Sequence, residues 1–296
     1  MKTIGVIGLG SIGMRHAKNL REMGHHVWGY DTDMSKRTEF GFEYTSDPLR
    51  WKEVDGVVIA GPSDQHAVEA LEGPPVPLFV EKPIGVSRGC LEILQMYPPK
   101  ILMVGYNLRF HSCVKKAKEW IDAGRIGTPL WANFTLGQFS EKEPYLRDGV
   151  ILNWSHELDL ALYLLGPAVL AGSSTRLTDG KDDMTDILLT HKSGCRSTVH
   201  LDYLSKPEIR NHRIIGTEGG IEIELSHSRT ATLVKGTKGL ELADSLHGAD
   251  TWNDNYIEEM QAFLDRIDGK ETIGCTGAEA LEVLKICLEV RRTSGA

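Results

Sequence analysis

Residues 4–13 read IGVIGLGSIG and run directly into the helical pattern MRHAKNL of residues 14–20. A short apolar strand, a Gly8-x-Gly10-x-x-Gly13 turn and a helix form the layout that a dinucleotide pyrophosphate requires. Gly8 makes the tight turn off the strand, Gly10 lets the backbone approach the phosphates, and Gly13 lets the helix pack against the strand. Ser11 and Ile12 complete the expected cofactor-binding turn, where the first free N–H groups of the helix face the anion.

Glycine spacing alone is a weak signal, and the flanking sequence strengthens it. Residues 25–30, HHVWGY, read as a second strand ending at Asp31, 23 residues after Gly8. An acidic group at that distance accepts hydrogen bonds from the adenosine ribose. Thr32 and Asp33 follow, with no arginine to receive a 2′-phosphate, so NAD is favoured over NADP. Arg15 and Lys36 leave a phosphate contact open.

The chain has 296 residues, 41% of them hydrophobic, which suggests two domains of ordinary size. Thirty-three basic and forty-one acidic side chains give a net charge of −8, with no block of basic residues. Nucleic acid and anionic membrane are therefore poor partners. No apolar stretch approaches the length of a membrane span, and the strand pattern begins at residue 3, so a cytoplasmic protein is expected. Cys90, Cys113, Cys195, Cys275 and Cys287 are odd in number and lack any CxxC or Cys/His pairing, which predicts reduced thiols, no disulfides and no metal site.

Up to about residue 106, strand candidates at 3–7, 26–30, 55–60, 77–80 and 101–104 alternate with helical segments, predicting a parallel, doubly wound Rossmann sheet. Ligands bind at the carboxyl ends of such strands. Three of the ends carry Gly8, Gly61-Pro62 and Glu81-Lys82-Pro83, which would set Lys82 near the nicotinamide. From about residue 129 the pattern changes to strands at 130–138, 184–191, 196–204, 211–216, 220–225 and 229–235. These predict a large, mostly antiparallel open sheet in a C-terminal α/β domain. Helical patterns cover 109–123, 155–165, 251–267 and 277–292. The expected division is 1–108 for cofactor binding and 109–296 for substrate binding and oligomerisation, with a homodimer or homotetramer formed through the uncovered sheet face.

The segments GLGSIGMRH, AGPSDQH, VEKPIG, GYNLRFH, GVILNWSHELDLALYLLG and HLDYLSKPEIRNHRIIGTEGGIEIE occur in an order that resembles the glucose-fructose oxidoreductase and inositol dehydrogenase family over nearly the whole chain. The resemblance implies a Rossmann domain, a C-terminal open-sheet domain and a nicotinamide cofactor in the cleft. It makes Lys82 the first catalytic candidate, a group to remove or orient a hydroxyl proton, and suggests a cis peptide before Pro83. His156 is the second. It opens the helical pattern HELDLALYLLG, where the macrodipole disfavours imidazolium, and Asp159 lies one turn on. Many family members carry an aspartate three or four residues before this histidine. Here the chain has Leu152 and Asn153, so Asn153 either orients substrate without carrying charge or caps a helix.

The same resemblance assigns Pro62, His66, Glu81 and Asn107 to the cofactor and Tyr106 and Arg109 to the substrate. His66 reads as a packing or capping residue near the cofactor. Arg109 has two readings: a planar fork for a carboxylate, phosphate or sugar hydroxyls, or a structural salt bridge between domains. In HLDYLSK, Val199, Leu201 and Tyr203 fall on one face and Thr198, His200 and Asp202 on the other. The expected activity is NAD-dependent hydride transfer between nicotinamide and a secondary alcohol of a sugar, cyclitol or sugar derivative. A redox-neutral NAD-dependent glycoside hydrolase and a non-catalytic dinucleotide sensor are the alternatives.

Overall fold

The computed structural model describes residues 1–37, 43–44, 53–97, 101–140, 143–235, 241–248 and 251–295. They form two compact units: Met1–Phe110 with Thr251–Leu284, and His111–Asp250 with Lys285–Ala296. The division differs from the expected cut at 108/109 because the segment from Thr251 returns to the first unit. The cause is packing: Met260, Phe263 and Leu264 join Ile4, Val6, Val58, Phe79 and Met103 in one buried core. Burying such side chains contributes roughly 1.5–3 kcal/mol each.

The first unit is a six-stranded parallel sheet of β1 (Thr3–Ile7), β2 (His26–Tyr30), β3 (Glu43–Tyr44), β4 (Gly56–Ile59), β5 (Leu78–Val80) and β6 (Ile101–Val104). Its order is β3-β2-β1-β4-β5-β6, the doubly wound arrangement expected. Val57, Val58, Ile59, Phe79 and Val80 are fully buried, as strands covered on both faces require. α1 (Ser11–Glu22) buries Met14, Ala17 and Leu20 at helical spacing, together with His16 and Asn19. Asn19 exchanges two amide hydrogen bonds, of 3.0 and 3.3 Å, with Asn253 of α7 (Trp252–Ile267). α2 (His66–Glu72) and α3 (Arg88–Met96) complete the crossovers.

The register brings the strand ends into one line. Tyr30 pairs with Ile7, Ile7 with Ile59, Ile59 with Val80, and Val80 with Val104. One further rung follows: Gly8 N–H donates to Tyr30, Ala60 to Ile7, Glu81 to Ile59 and Gly105 to Val80, each at 2.8 Å.

The second unit holds an eight-stranded sheet of β7 (Pro129–Gly137), β8 (Ala168–Thr178), β9 (Lys181–His191), β10 (Arg196–Asp202), β11 (Ile209–Gly216), β12 (Gly219–Glu224), β13 (Thr230–Lys235) and β14 (Glu241–His247). The order is β14-β13-β12-β11-β7-β10-β9-β8. Only β7–β10 is parallel, so the expectation of a mostly antiparallel sheet agrees with the structure. α4 (Ser112–Asp122), α5 (Glu143–Asn153) and α6 (His156–Leu165) contact the strands. α5 breaks at Gly149, whose φ of 69° leaves the helical region and makes room for the Asp182 carboxylate. The unit boundary falls inside α8 (Gly277–Ser294). Among the described residues no helix is long and apolar enough to cross a membrane.

Candidate functional site

The glycine turn has the geometry that its sequence predicts. Gly8 sits at φ +83°, which a side chain rarely adopts, and a Cβ there would collide with the Gly61 backbone. A Cβ on Gly13 would collide with the Gly8 carbonyl oxygen. At Gly10 a Cβ would meet nothing within 4 Å, and no side chain caps α1 there. The helix N-terminus therefore stays open to an anion.

Asp31 stands at the end of β2 with 7% of its surface exposed. Its Oδ2 accepts the Leu9 N–H at 2.7 Å and its Oδ1 the Asp33 N–H at 2.8 Å, which fixes the carboxylate against the glycine turn. Lys36 Nζ lies 3.6 Å from Oδ2. Gly8, Gly10, Asp31, Thr32, Asp33, Lys36, Pro62 and neighbouring residues line a cavity of about 550 Å³. An open backbone for phosphate beside a fixed acceptor for ribose fits an NAD molecule.

The Glu81-Lys82-Pro83 element is held from three sides. Glu81 is buried; its Oε1 lies 2.7 Å from His16 Nε2 and its Oε2 accepts the Lys82 N–H at 3.2 Å. Gly105 leaves the space that this carboxylate fills, since a Cβ there would stand 2.8 Å from Oε2. The Lys82–Pro83 peptide is cis, as the resemblance implied. Lys82 itself is partly exposed.

His66 is a brace, in line with its reading as a packing residue near the cofactor. Its ring is buried, with Nδ1 2.8 Å from the Pro83 carbonyl and Nε2 3.0 Å from the Gly61 carbonyl, tying the turn after β4 to the one after β5. Burial lowers its pKa, opposed by those two hydrogen bonds. Of the two readings of Arg109, its contacts are those of a structural ion pair. It is 2% exposed, and its Nη1 donates to Glu279 at 2.9 Å and to the Gly274 carbonyl at 3.3 Å. The ion pair lies within the first unit rather than between domains. Tyr106 and Asn107 are buried beside it in the chain, just after β6.

In the second unit His156 opens α6, partly exposed, with Glu157 and Asp159 buried in the first turn. The Glu157 carboxylate accepts from Arg210 Nε at 2.7 Å. Asn153 Nδ2 donates to the Tyr203 hydroxyl at 2.7 Å, and that hydroxyl donates to the Gly149 carbonyl at 3.1 Å. Asn153 is the last residue of α5 rather than a cap of α6. On β10, Val199 and Leu201 are buried, as is Tyr203 just beyond it, and Thr198 and His200 are partly exposed. Asp202 is buried despite its phase, because Leu204 N–H, Ser205 N–H and the Ser205 hydroxyl all donate to it.

Two groups escaped the sequence reading. His16 and Glu259 bring ligand atoms within 4.8 Å of one another and of Glu81, all three residues buried. The available signal was a histidine and a glutamate on otherwise apolar helical faces. Glu69 on α2 also lines the cofactor cavity.

Residues 114–222 match the family model described as the GFO/IDH/MocA C-terminal domain. This stretch is similar to the GFO/IDH/MocA family. Residues 1–72 separately match the NAD-binding domain of the D-isomer-specific 2-hydroxyacid dehydrogenases. The two matches together span the glycine turn and most of the second sheet of this chain. The chain is 25% identical to the uncharacterized oxidoreductase YrbE of Bacillus subtilis (strain 168), over 95% of this chain and 91% of that one. It is 28% identical to the scyllo-inositol 2-dehydrogenase (NAD(+)) of the same organism, over 95% and 90%. Its fold matches an oxidoreductase from Agrobacterium radiobacter in complex with NAD+, L-tartaric acid and magnesium, with a TM-score of 0.84 at 22% identity, covering 99% and 96% of the two chains.

Proposed function

We propose that this chain is a GFO/IDH/MocA-type protein that moves hydride between NAD and a secondary alcohol of a sugar, cyclitol or sugar derivative. The observation that carries the reading is the line of strand ends, which puts the glycine turn, Asp31 and Glu81-Lys82 on one edge of one sheet. The scyllo-inositol relative supports a polyhydroxylated substrate.

When bound, NAD supplies the hydride acceptor or donor at its nicotinamide. The α1 N-terminus and the open backbone at Gly10 hold the pyrophosphate, with Ser11 and Ile12 in the turn. Asp31 holds the ribose. Lys82 orients the substrate hydroxyl and moves its proton through Nζ, with its backbone fixed by Glu81 and the turn beyond it fixed by His66 on the Pro83 carbonyl. His156, at the start of α6 in the second unit, is the second proton-transfer candidate, through its imidazole. Tyr106, Asn153 and Asp159 belong to the substrate-binding set, and Asn153 contributes its amide without a charge. The assignment of a homodimer or homotetramer to the open sheet face is supported by Trp131 and Leu188, which stay 40% and 39% exposed on β7 and β9.

The test is NADH absorbance after mixing the protein and NAD with sugars, sugar acids, cyclitols and nucleotide sugars, with NADP in parallel. NADH production with one class names the substrate. Silence across the panel with NAD bound in a calorimetric titration removes the dehydrogenase reading.

A further inference from the structure

Glu69 lies in the first turn of α2, and its side chain lines the cavity that also contains Gly10, Asp31 and Lys36. Its carboxylate lies over Gly61: a Cβ on that glycine would stand 3.1 Å from each oxygen. Glycine at position 61 thus receives the Gly8 turn and also clears space for this carboxylate. Oε2 is buried and has no hydrogen-bond partner among the described residues. A buried carboxylate oxygen without a donor is costly, and its field is left uncompensated in the space that it faces.

The surrounding charges do not neutralise it. Asp31 closes β2, Asp33 follows it, and Asp64 precedes α2. The one ammonium among the described lining residues, Lys36, stands against Asp31. His66, on the same helix, has both ring nitrogens on backbone carbonyls. Burial, then the charges of Asp31 and Asp64, raise the Glu69 pKa to about 6, which leaves it mostly ionised at pH 7.5. The cavity therefore presents three carboxylates and one ammonium among its described lining residues.

We propose that Glu69 acts with Asp31 as a specificity-determining residue of the cofactor site, its charge turning away the 2′-phosphate of NADP while tolerating the 2′-hydroxyl of NAD. The proposal rests on the NAD-binding reading above. Asp31 alone disfavours a phosphate at short range, and Lys36 offsets part of that effect. Glu69 supplies a second fixed charge in the same cavity, on a different element.

The experiment is calorimetric titration of the full chain with NAD and with NADP, comparing wild type, Glu69→Gln and Glu69→Ala, each checked for an unchanged melting transition. Removing one charge from a cavity that receives a phosphate dianion should tighten NADP by roughly tenfold, with NAD changed by no more than about twofold. At pH 5 the wild type should approach the Glu69→Gln ratio of the two affinities, since its Glu69 is then mostly protonated and position 69 is nearly uncharged in both proteins. The 2′-phosphate titrates alike in each and cancels. An unchanged NADP-to-NAD ratio in both variants overturns the proposal. Equal weakening of both cofactors also overturns it and makes Glu69 a brace for the Gly61 turn. Failure of the wild type to bind either dinucleotide overturns the cofactor reading itself and this proposal with it.

Discussion

His16 Nε2 lies 2.7 Å from Glu81 Oε1, and both residues are buried. The pair connects α1, which carries the glycine turn, to the end of β5, which carries Lys82. Glu81 uses its other oxygen for the Lys82 N–H, so one carboxylate sets both the helix and the catalytic candidate. The His16 ring sits edge-on to Phe79 at 5.2 Å and to Tyr256 at 5.8 Å, leaving it little room to turn. His16→Ala should cost about 2–4 kcal/mol, because it leaves Oε1 of a buried carboxylate without its partner. Urea denaturation measures that loss, and a change below 0.5 kcal/mol (about the scatter of a surface substitution) contradicts the bracing role.

Lys82→Ala and His156→Ala should each lower turnover by about 10²–10⁴-fold once a substrate is known, with the NAD dissociation constant changed only a few-fold. Wild-type turnover in either variant removes that residue from the proton-transfer assignment.

Gly10→Ala and Gly13→Ala separate binding from folding. Nothing stands within 4 Å of a Cβ on Gly10, so that variant should melt like the wild type while losing NAD affinity. On Gly13 the new Cβ strikes the Gly8 carbonyl, and overpacking of this kind costs about 1–3 kcal/mol or more. Thermal melting beside NAD titration reads both, and a destabilised Gly10→Ala protein would contradict the open-backbone geometry.

Two histidines of the second unit should move stability with pH in opposite senses. His212 is buried beside Phe134, with no hydrogen-bond partner for either ring nitrogen among the described residues. Burial, then the nearby Arg210 charge, push its pKa down to about 3. The unfolded chain takes up a proton near pH 6.5 while the folded protein does not. This contribution is therefore complete above pH 6.5 and is lost as pH falls toward 3. The total at this buried site is of the order of 3–5 kcal/mol. His212→Leu should flatten that limb in denaturation curves taken from pH 7 to 4, and an unchanged slope would contradict the buried neutral imidazole.

His200 has the opposite sign. Burial works to lower its pKa, but hydrogen bonds to Asp186 at 2.7 Å and Asp202 at 3.0 Å outweigh it, and the net shift is upward. Its contribution is complete below pH 6.5 and is lost as pH rises through the folded-state pKa. Asp186→Asn should destabilise the protein at pH 6 and match the wild type at pH 9. A deficit that does not change with pH would mean that the contact is a neutral hydrogen bond.

The sequence was sufficient for features whose cause is local. Gly8 and Gly13 are dictated by backbone conformation and by close approach within one turn, and Asp31 by its place at the end of an apolar run. The parallel, doubly wound class of the first sheet followed from the alternation of strand and helix patterns. The three strands absent from that reading, β3, β8 and β14, are all sheet edges. An edge strand pairs on one side only and needs less apolar surface; β8, AVLAGSSTRLT, carries a mainly small and polar pattern.

What only the tertiary structure decided was the partner of each buried polar side chain. Arg109 and Glu279 are 170 positions apart, and no periodicity distinguishes that ion pair from a substrate clamp. His16 finds Glu81, Asn19 finds Asn253, and Glu69 turns into the cofactor cavity instead of toward solvent. The return of Thr251–Leu284 to the first unit belongs with these. Turn conformation and hydrophobic period are fixed by neighbours a few residues away, whereas burial makes a polar group seek any donor or acceptor within reach through space, and that choice is settled only when the chain has packed.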